Sequence, residues 1–289
     1  MKTGLVMEGG AMRGMFTCGV IDVLMENGVT FDGAGGISAG AVFGCNFKSG
    51  QMGRPIRYNK KYCRDKRYKS LRSLLTTGDL YGVDFCYREL PDELDVFDRK
   101  AFRENPMEFF VGATDVETGR IVYHRCMDGG EKDMQWMRAS ASMPMASRVV
   151  EIDGRKLLDG GVIDPTPYFY LKELGYERCL VILTQPESYR KKTSALLPLM
   201  RLSLRKYPRL AEAMEKRPER YNAHIAAIRE AEKAGECLVV CPPEPLPVRR
   251  TENDPEKLEQ AYQIGRREGE KRLPEIRRFL AGNQSSCQA

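Results

Sequence analysis

Six residues near the start of the chain, Gly35-Gly36-Ile37-Ser38-Ala39-Gly40, leave the backbone few ways to fold. Gly36 to Gly40 spells G-x-S-x-G, the pattern of a nucleophile elbow, in which a serine sits on a sharp turn from a strand into a helix. The residues beside the serine must be small because the backbone is crowded there. The flanking sequence supplies both elements. Val29, Phe31 and the glycines make a short buried strand, while Ala39, Ala41, Val42, Phe43 and Phe47 follow at a spacing that fits a helix. The same five-residue pattern also arises in glycine turns that merely contain a serine, so the rest of the chain must decide between the two.

Just upstream, the apolar run Leu5-Val6-Met7 breaks into Glu8-Gly9-Gly10-Ala11-Met12-Arg13-Gly14. Met15, Val20, Ile21, Val23 and Leu24 then recur at helical spacing, with Asn27-Gly28 as the stop signal. Strand, glycine loop and helix N-terminus together aim backbone N–H groups at an anion. A phosphate-binding P-loop would end in Gly-Lys-Ser or Gly-Lys-Thr, whereas this loop ends Arg13-Gly14-Met15. A dinucleotide fingerprint would put glycine at Ala11 and an acid about 20 residues on. Asp32 lies near that distance, but a nucleotide fold has no use for the serine elbow that follows. The favoured reading is an oxyanion hole, with N–H groups of Gly9, Gly10, Ala11 and Ala39 gathered on one carbonyl oxygen. Arg13 and Gly14 then support the loop.

The sheet resumes at 109–114, turns at 115–119 and returns at 120–124. Residues 133–147 read as a short helix followed by Ala139-Ser140-Ala141-Ser142-Met143-Pro144, a small-residue run suited to tight packing beside a site. Asp153-Gly154 between two apolar runs is a strong hairpin signal. That hairpin delivers Asp159-Gly160-Gly161, whose glycines would let another backbone approach closely. Residues 179–184 read as a central strand and 238–240 as another. A proline-rich connector at 242–247 leads to a charged helix carrying Leu258, Ala261, Tyr262, Ile264 and Gly265, which should pack back on the main domain.

With 289 residues, 42% apolar and 30% charged, the chain is expected to be soluble and globular, as one large α/β domain or a domain with an appendage. Nine cysteines without paired spacing suggest reduced thiols rather than a disulfide framework. Only His124 and His224 are present, too few to favour a zinc site, and no metal or cofactor is expected. No apolar signal region or spanning segment stands out, so the expected location is cytoplasmic. The net charge of +6 gathers in two places. Between 54 and 72 nine basic residues face one acid, with Tyr58, Tyr62 and Tyr68 among them. This fits a solvated helix face or contact with anionic phospholipid; nucleic acid is not expected. Between 190 and 209 seven basic residues accompany Leu196, Leu197, Leu199, Met200, Leu202 and Leu204. Such a stretch reads as a core helix with its cations outside, or as an amphipathic segment lying on an anionic membrane.

Three ordered blocks, Gly9–Gly14, Gly36–Gly40 and Asp159-Gly160-Gly161, resemble the patatin-like phospholipase family, in its bacterial branch. The run at 139–144 resembles the segment that precedes that family's aspartate, and the likeness extends from about Thr3 to Leu183. The resemblance implies a three-layer α/β/α fold over residues 1–189 and a mainly helical C-terminal extension, 190–289, packed on it. It implies that Ser38 is an acyl nucleophile, that Asp159 is its sole partner, and that the Gly9–Gly14 loop is the oxyanion hole. Two departures stand out. Ala11 replaces a glycine usual in the loop, which is tolerable if its φ is negative. Asp164-Pro165-Thr166-Pro167 stands where the family often shows Asn-Pro.

The scarcity of histidine points the same way. In hydrolase order the histidine comes last, so only His224 qualifies, and it reads as mid-helix in the tail. Both histidines read as ordinary surface or satisfied residues, and a carboxylate must act as the base. The expected protein is a hydrolase of lipid carboxylic esters acting through Ser38 and Asp159. A non-catalytic lipid- or acyl-binding regulator on the same scaffold is the alternative, and a nucleotide-binding enzyme the third reading.

Overall fold

The N-terminal apolar run becomes β1 (Lys2–Met7) at the heart of a single sheet. The structure, a computed structural model, describes residues 1–195 and 197–282. Leu196 and Cys287 therefore lie outside the described residues. The other strands are β2 (Gly33–Ile37), β3 (Glu108–Asp115), β4 (Arg120–Cys126), β5 (Val150–Ile152), β6 (Arg155–Asp159), β7 (Tyr176–Ile182) and β8 (Cys237–Val240). Their order is β5-β6-β3-β2-β1-β7-β8, with β4 also paired to β3. The strands β3, β2, β1, β7 and β8 run parallel. β4 and β6 oppose β3, and β5 and β6 form the hairpin turning at Asp153 and Gly154, both at positive φ.

Helices cover both faces. Leu5 and Met7 point into a cluster with Phe16, Phe43 and Leu258, under the helices Gly14–Glu26, Ala39–Lys48 and Pro255–Ala281. Val6 points the other way, to Tyr168, Leu171 and Ile228 of the helices Tyr168–Glu173 and Arg217–Lys233. A parallel strand buried on both faces reads as an unbroken apolar run, as Leu5-Val6-Met7 does. The C-terminal third is tied into the sheet: β8 extends it beyond β7. The helix Pro255–Ala281 is fastened to Gly14–Glu26 by a Tyr262 hydroxyl donating to Asp22 at 2.8 Å and a two-pronged Arg266–Glu26 pair at 2.7 Å. No helix among the described residues is long and apolar enough to cross a membrane.

The two basic stretches differ from their sequence reading. In the first, Tyr58, Tyr62 and Tyr68 are all buried, and Arg54 turns inward to the Asp95 carbonyl and to Asn46 at 3.1 Å. The aromatic residues belong to the core rather than to a basic surface. The second forms the helix Leu197–Ser203, of which no residue is buried. Leu199 and Leu202 face outward, 52% and 64% exposed, so this is not a core helix. The stretch instead sends in Leu204 and, further back, Lys191, whose ammonium lies 4.3 Å from the centre of the Tyr221 ring.

Candidate active site

One edge of β3 explains how distant residues meet. β2 runs parallel to β3 and ends with Ile37 opposite Gly112. β6 runs antiparallel to β3 on the same side and ends with Asp159 opposite Ala113. The two strands approach head-on, and their C-terminal ends meet at adjacent residues of β3. Ser38 follows Ile37 directly, and its hydroxyl donates to Asp159 Oδ2 at 2.8 Å across a sequence separation of 121.

The elbow is strained in the way its sequence demands. Ser38 has φ 53° and ψ −117°, outside the regions comfortable for an L-residue. A Cβ on Gly36 would lie 2.2 Å from the Gly40 carbonyl oxygen, and one on Gly40 would lie 2.3 Å from that of Met7. The Ser38 N–H donates to Ser140 Oγ at 2.8 Å, and the Ser140 hydroxyl donates to the Gly112 carbonyl at 2.6 Å. Ser140 thus pins the elbow to β3. The sequence marked its neighbourhood as a small-residue run without assigning it this task.

Asp159 is 6% exposed. Its second oxygen accepts the Gly161 N–H at 2.7 Å, and the Thr114 hydroxyl holds its backbone carbonyl at 2.8 Å. Burial pushes its carboxyl above the ordinary aspartate range, while Arg217 pulls it part of the way back. A carboxylate so placed is a stronger base than one in water. Gly160 passes close to the Gly112 carbonyl, where a Cβ would lie 2.4 Å from the oxygen.

The glycine loop lies against the elbow, but one of the four expected donors is engaged elsewhere. The Gly9 N–H is taken by the Pro165 carbonyl at 3.2 Å, which removes it from the oxyanion set. The N–H groups of Gly10, Ala11 and Ala39 have no acceptor among the described residues. Ala11 adopts φ +50°, not the negative value its methyl would favour, at a cost of about 1–2 kcal/mol. Arg13 Nε is buried without a hydrogen-bond partner, and Gly14 opens its helix against Ala39 and Phe43.

Ser38 stands between two chambers, and Ala11 and Met143 also line both. One is apolar, walled by Val42, Phe43, Tyr58, Tyr68, Tyr81 and Leu90. The other is polar, with Glu8, Arg13, Asp159, Lys191, Arg217 and Arg250 in its walls. Glu8 is 1% exposed and accepts from the Thr184 N–H at 2.5 Å, the Thr184 hydroxyl at 2.9 Å and the Tyr221 hydroxyl at 2.7 Å. Sequence reasoning gave no role to Glu8, Arg217, Tyr221 or Arg250, and placed Lys191 only within the basic stretch 190–209. Nothing in their local spacing announces that residues after 190 reach back to the elbow.

Neither histidine bonds to the pair. His124 meets Asp133 Oδ1 at 2.8 Å and stacks on Trp136. His224 meets Thr166 Oγ1 at 2.8 Å, and burial lowers its pKa to about 4. It is a half-buried, satisfied residue tied to Thr166, one of the two readings the sequence allowed. His124, Cys126 and Asp133 cluster closely enough to suggest cation ligands. However, Asp133 Oδ2 already accepts the N–H groups of Met127, Asp128 and Gly129, so the cluster closes a loop. The eight cysteines among the described residues are all free thiols.

A mixed sheet with helices on both faces defines a class of protein, and the family comparison agrees with that fold. The patatin-like phospholipase model matches residues 5–172, and the chain belongs to that family. A second model, the domain of unknown function DUF6363, matches residues 207–281. An uncharacterised NTE family protein of Mycobacterium tuberculosis is 28% identical over 57% of this chain and 44% of its own length. Lysophospholipase NTE1 of Coccidioides immitis is 25% identical over 96% of this chain and 18% of its own. The crystal structure of VipD from Legionella pneumophila aligns with a TM-score of 0.47 and 14% identity, over 95% of this chain and 67% of that one. The chain thus spans less than half the length of these two sequence relatives.

Proposed function

We propose that the chain is a serine acyl hydrolase that cleaves carboxylic esters of lipids through Ser38 and Asp159. The observation that carries this reading is the 2.8 Å bond between their side chains in a buried site flanked by unengaged N–H groups. Ser38 Oγ attacks the ester carbonyl while Asp159 Oδ2 takes its proton. The oxyanion meets N–H groups of Gly10, Ala11 and Ala39; one such donor typically contributes about 2.7–4 kcal/mol to the transition state. Asp159 then gives the proton to the departing alcohol, and water repeats the sequence on the acyl-enzyme. The apolar chamber suits the acyl chain.

The test uses short acyl esters. Ser38→Ala and Asp159→Asn should each lower kcat/KM by ~10³-fold or more with unchanged circular dichroism. A fluorophosphonate should label Ser38. Substantial turnover in either variant, or a label elsewhere, overturns the assignment. A lipid-binding regulator on this scaffold would instead retain ligand, form no acyl-enzyme and tolerate Ser38→Ala.

A further inference from the structure

The polar chamber carries more positive charge than the protein itself uses. Four cations, Arg13, Lys191, Arg217 and Arg250, line it with two carboxylates, Glu8 and Asp159. Both carboxylates are occupied: Glu8 accepts from Thr184 and Tyr221, and Asp159 from Ser38 and Gly161. None of the four cations forms an ion pair with a carboxylate among the described residues, although such pairs occur elsewhere in the fold, Arg266–Glu26 and Arg57–Asp95 among them. They also crowd one another. Arg250 disfavours the charge on Arg13, Lys191 and Arg217, and Arg217 disfavours that on Lys191, beyond the larger effect of burial. Arg13 Nε is buried with no acceptor. Glu8 favours the charge on Arg13 and Lys191, and Asp159 that on Arg217. Four cations against two carboxylates still leave the chamber with an excess of positive charge, a site preorganised for an anion.

We propose that Lys191, Arg217 and Arg250, together with Arg13, hold the phosphate group of an anionic lipid headgroup while Ser38 attacks the neighbouring ester. This rests on the hydrolase reading and narrows its substrate to phosphate-bearing acyl esters. The placement suits such a molecule. Ser38 lines the apolar chamber on one side and the cationic chamber on the other, as an ester lies between acyl chain and headgroup. The cations continue outward: Lys191, Arg217 and Arg250 also line an adjoining cavity with Lys192. Three of the four lie after residue 190, so the C-terminal region supplies the headgroup contacts for a nucleophile built near the N-terminus.

The experiment compares 1-acylglycerol 3-phosphate with the 1-acylglycerol of the same chain, both in micelles of a neutral detergent so that surface charge does not discriminate. The wild type should favour the phosphate-bearing ester in kcat/KM by at least tenfold. In Lys191→Gln/Arg250→Gln that ratio should fall by tenfold or more, mainly through KM. Equal effects on both substrates, or a wild type that prefers the uncharged ester, overturn the proposal. Binding to Ser38→Ala by calorimetry separates the two readings. Charge-dependent binding of the phosphate ester with no wild-type hydrolysis would sink the hydrolase reading and keep the anion site. If inorganic phosphate binds as tightly as the lipid, the site holds a free anion and the headgroup assignment is wrong.

Discussion

The Tyr221 hydroxyl donates to Glu8 at 2.7 Å, joining a helix of the C-terminal region to the first residue of the glycine loop. Glu8 is buried and already bound by Thr184 at the end of the sheet, so its geometry is fixed on three sides. Tyr221 in turn lies under Lys191 and against Tyr189. Residues beyond 190 therefore form one wall of the chamber that holds Ser38.

Tyr221→Phe should lower stability by about 1–3 kcal/mol in urea unfolding, because a buried carboxylate loses a donor. Glu8→Gln should also destabilise. The double variant should cost less than the sum of the two, by roughly 0.5–3 kcal/mol. Strict additivity would mean that the two side chains do not share an interaction.

Ser140→Ala removes both the acceptor of the Ser38 N–H and the donor to the Gly112 carbonyl. Two buried backbone groups then lack partners, at about 1–3 kcal/mol each before relaxation. Because Ser140 positions the elbow without touching a substrate, the loss should appear in kcat and in the rate of fluorophosphonate labelling, with KM little changed. Labelling at the wild-type rate would show that the elbow holds its shape unaided.

The parts legible in sequence are those whose constraints are local. Gly36 and Gly40 are dictated by backbone atoms that would meet a Cβ at under 2.5 Å, so the elbow is written in five residues. Asp153-Gly154 wrote the hairpin that delivers Asp159 in the same way. What stayed hidden depends on distant partners. The Gly9 N–H is lost to Pro165, 156 positions away, and nothing in the loop itself shows that. Composition marked 54–72 and 190–209 as basic but did not show that Tyr58, Tyr62 and Lys191 turn inward while Leu199 and Leu202 turn out. The π-helix Phe85–Leu94, with Pro91 inside it, lends Cys86, Tyr87 and Leu90 to the apolar chamber and carries no simple periodic signal.

The acid limb of the pH–rate profile should report Asp159. As a base it works only when ionised, and burial places its pKa above the ordinary value of about 3.9. Activity is therefore lost as pH falls through that raised value. Arg217 opposes the shift, so Arg217→Gln should move the limb to higher pH, whereas Arg217→Lys, which keeps the charge, should leave it closer to the wild type. A limb that ignores the charge at 217 would assign the base elsewhere.

Lys191 should govern the alkaline side of headgroup binding. Burial, then Arg217 and Arg250, lowers its pKa to about 7; Glu8 works against them and Arg13 with them, while the rings of Tyr189 and Tyr221 flank it. Below about 7 the ammonium is charged and attracts an anion; as pH rises past that value in the free protein the charge is lost. A phosphate monoester would blur the result, because its second ionisation near 6 adds negative charge over the same range. Lysophosphatidylglycerol, a phosphodiester with one constant charge, avoids this. Its KM should rise between pH 6 and pH 8 by several-fold (roughly tenfold per 1.4 kcal/mol of lost attraction). The KM of the uncharged 1-acylglycerol should stay flat, and Lys191→Gln should flatten the profile for the phosphodiester. A parallel rise for both substrates would trace the pH effect to the fold or the chemistry rather than to a cation meeting a phosphate.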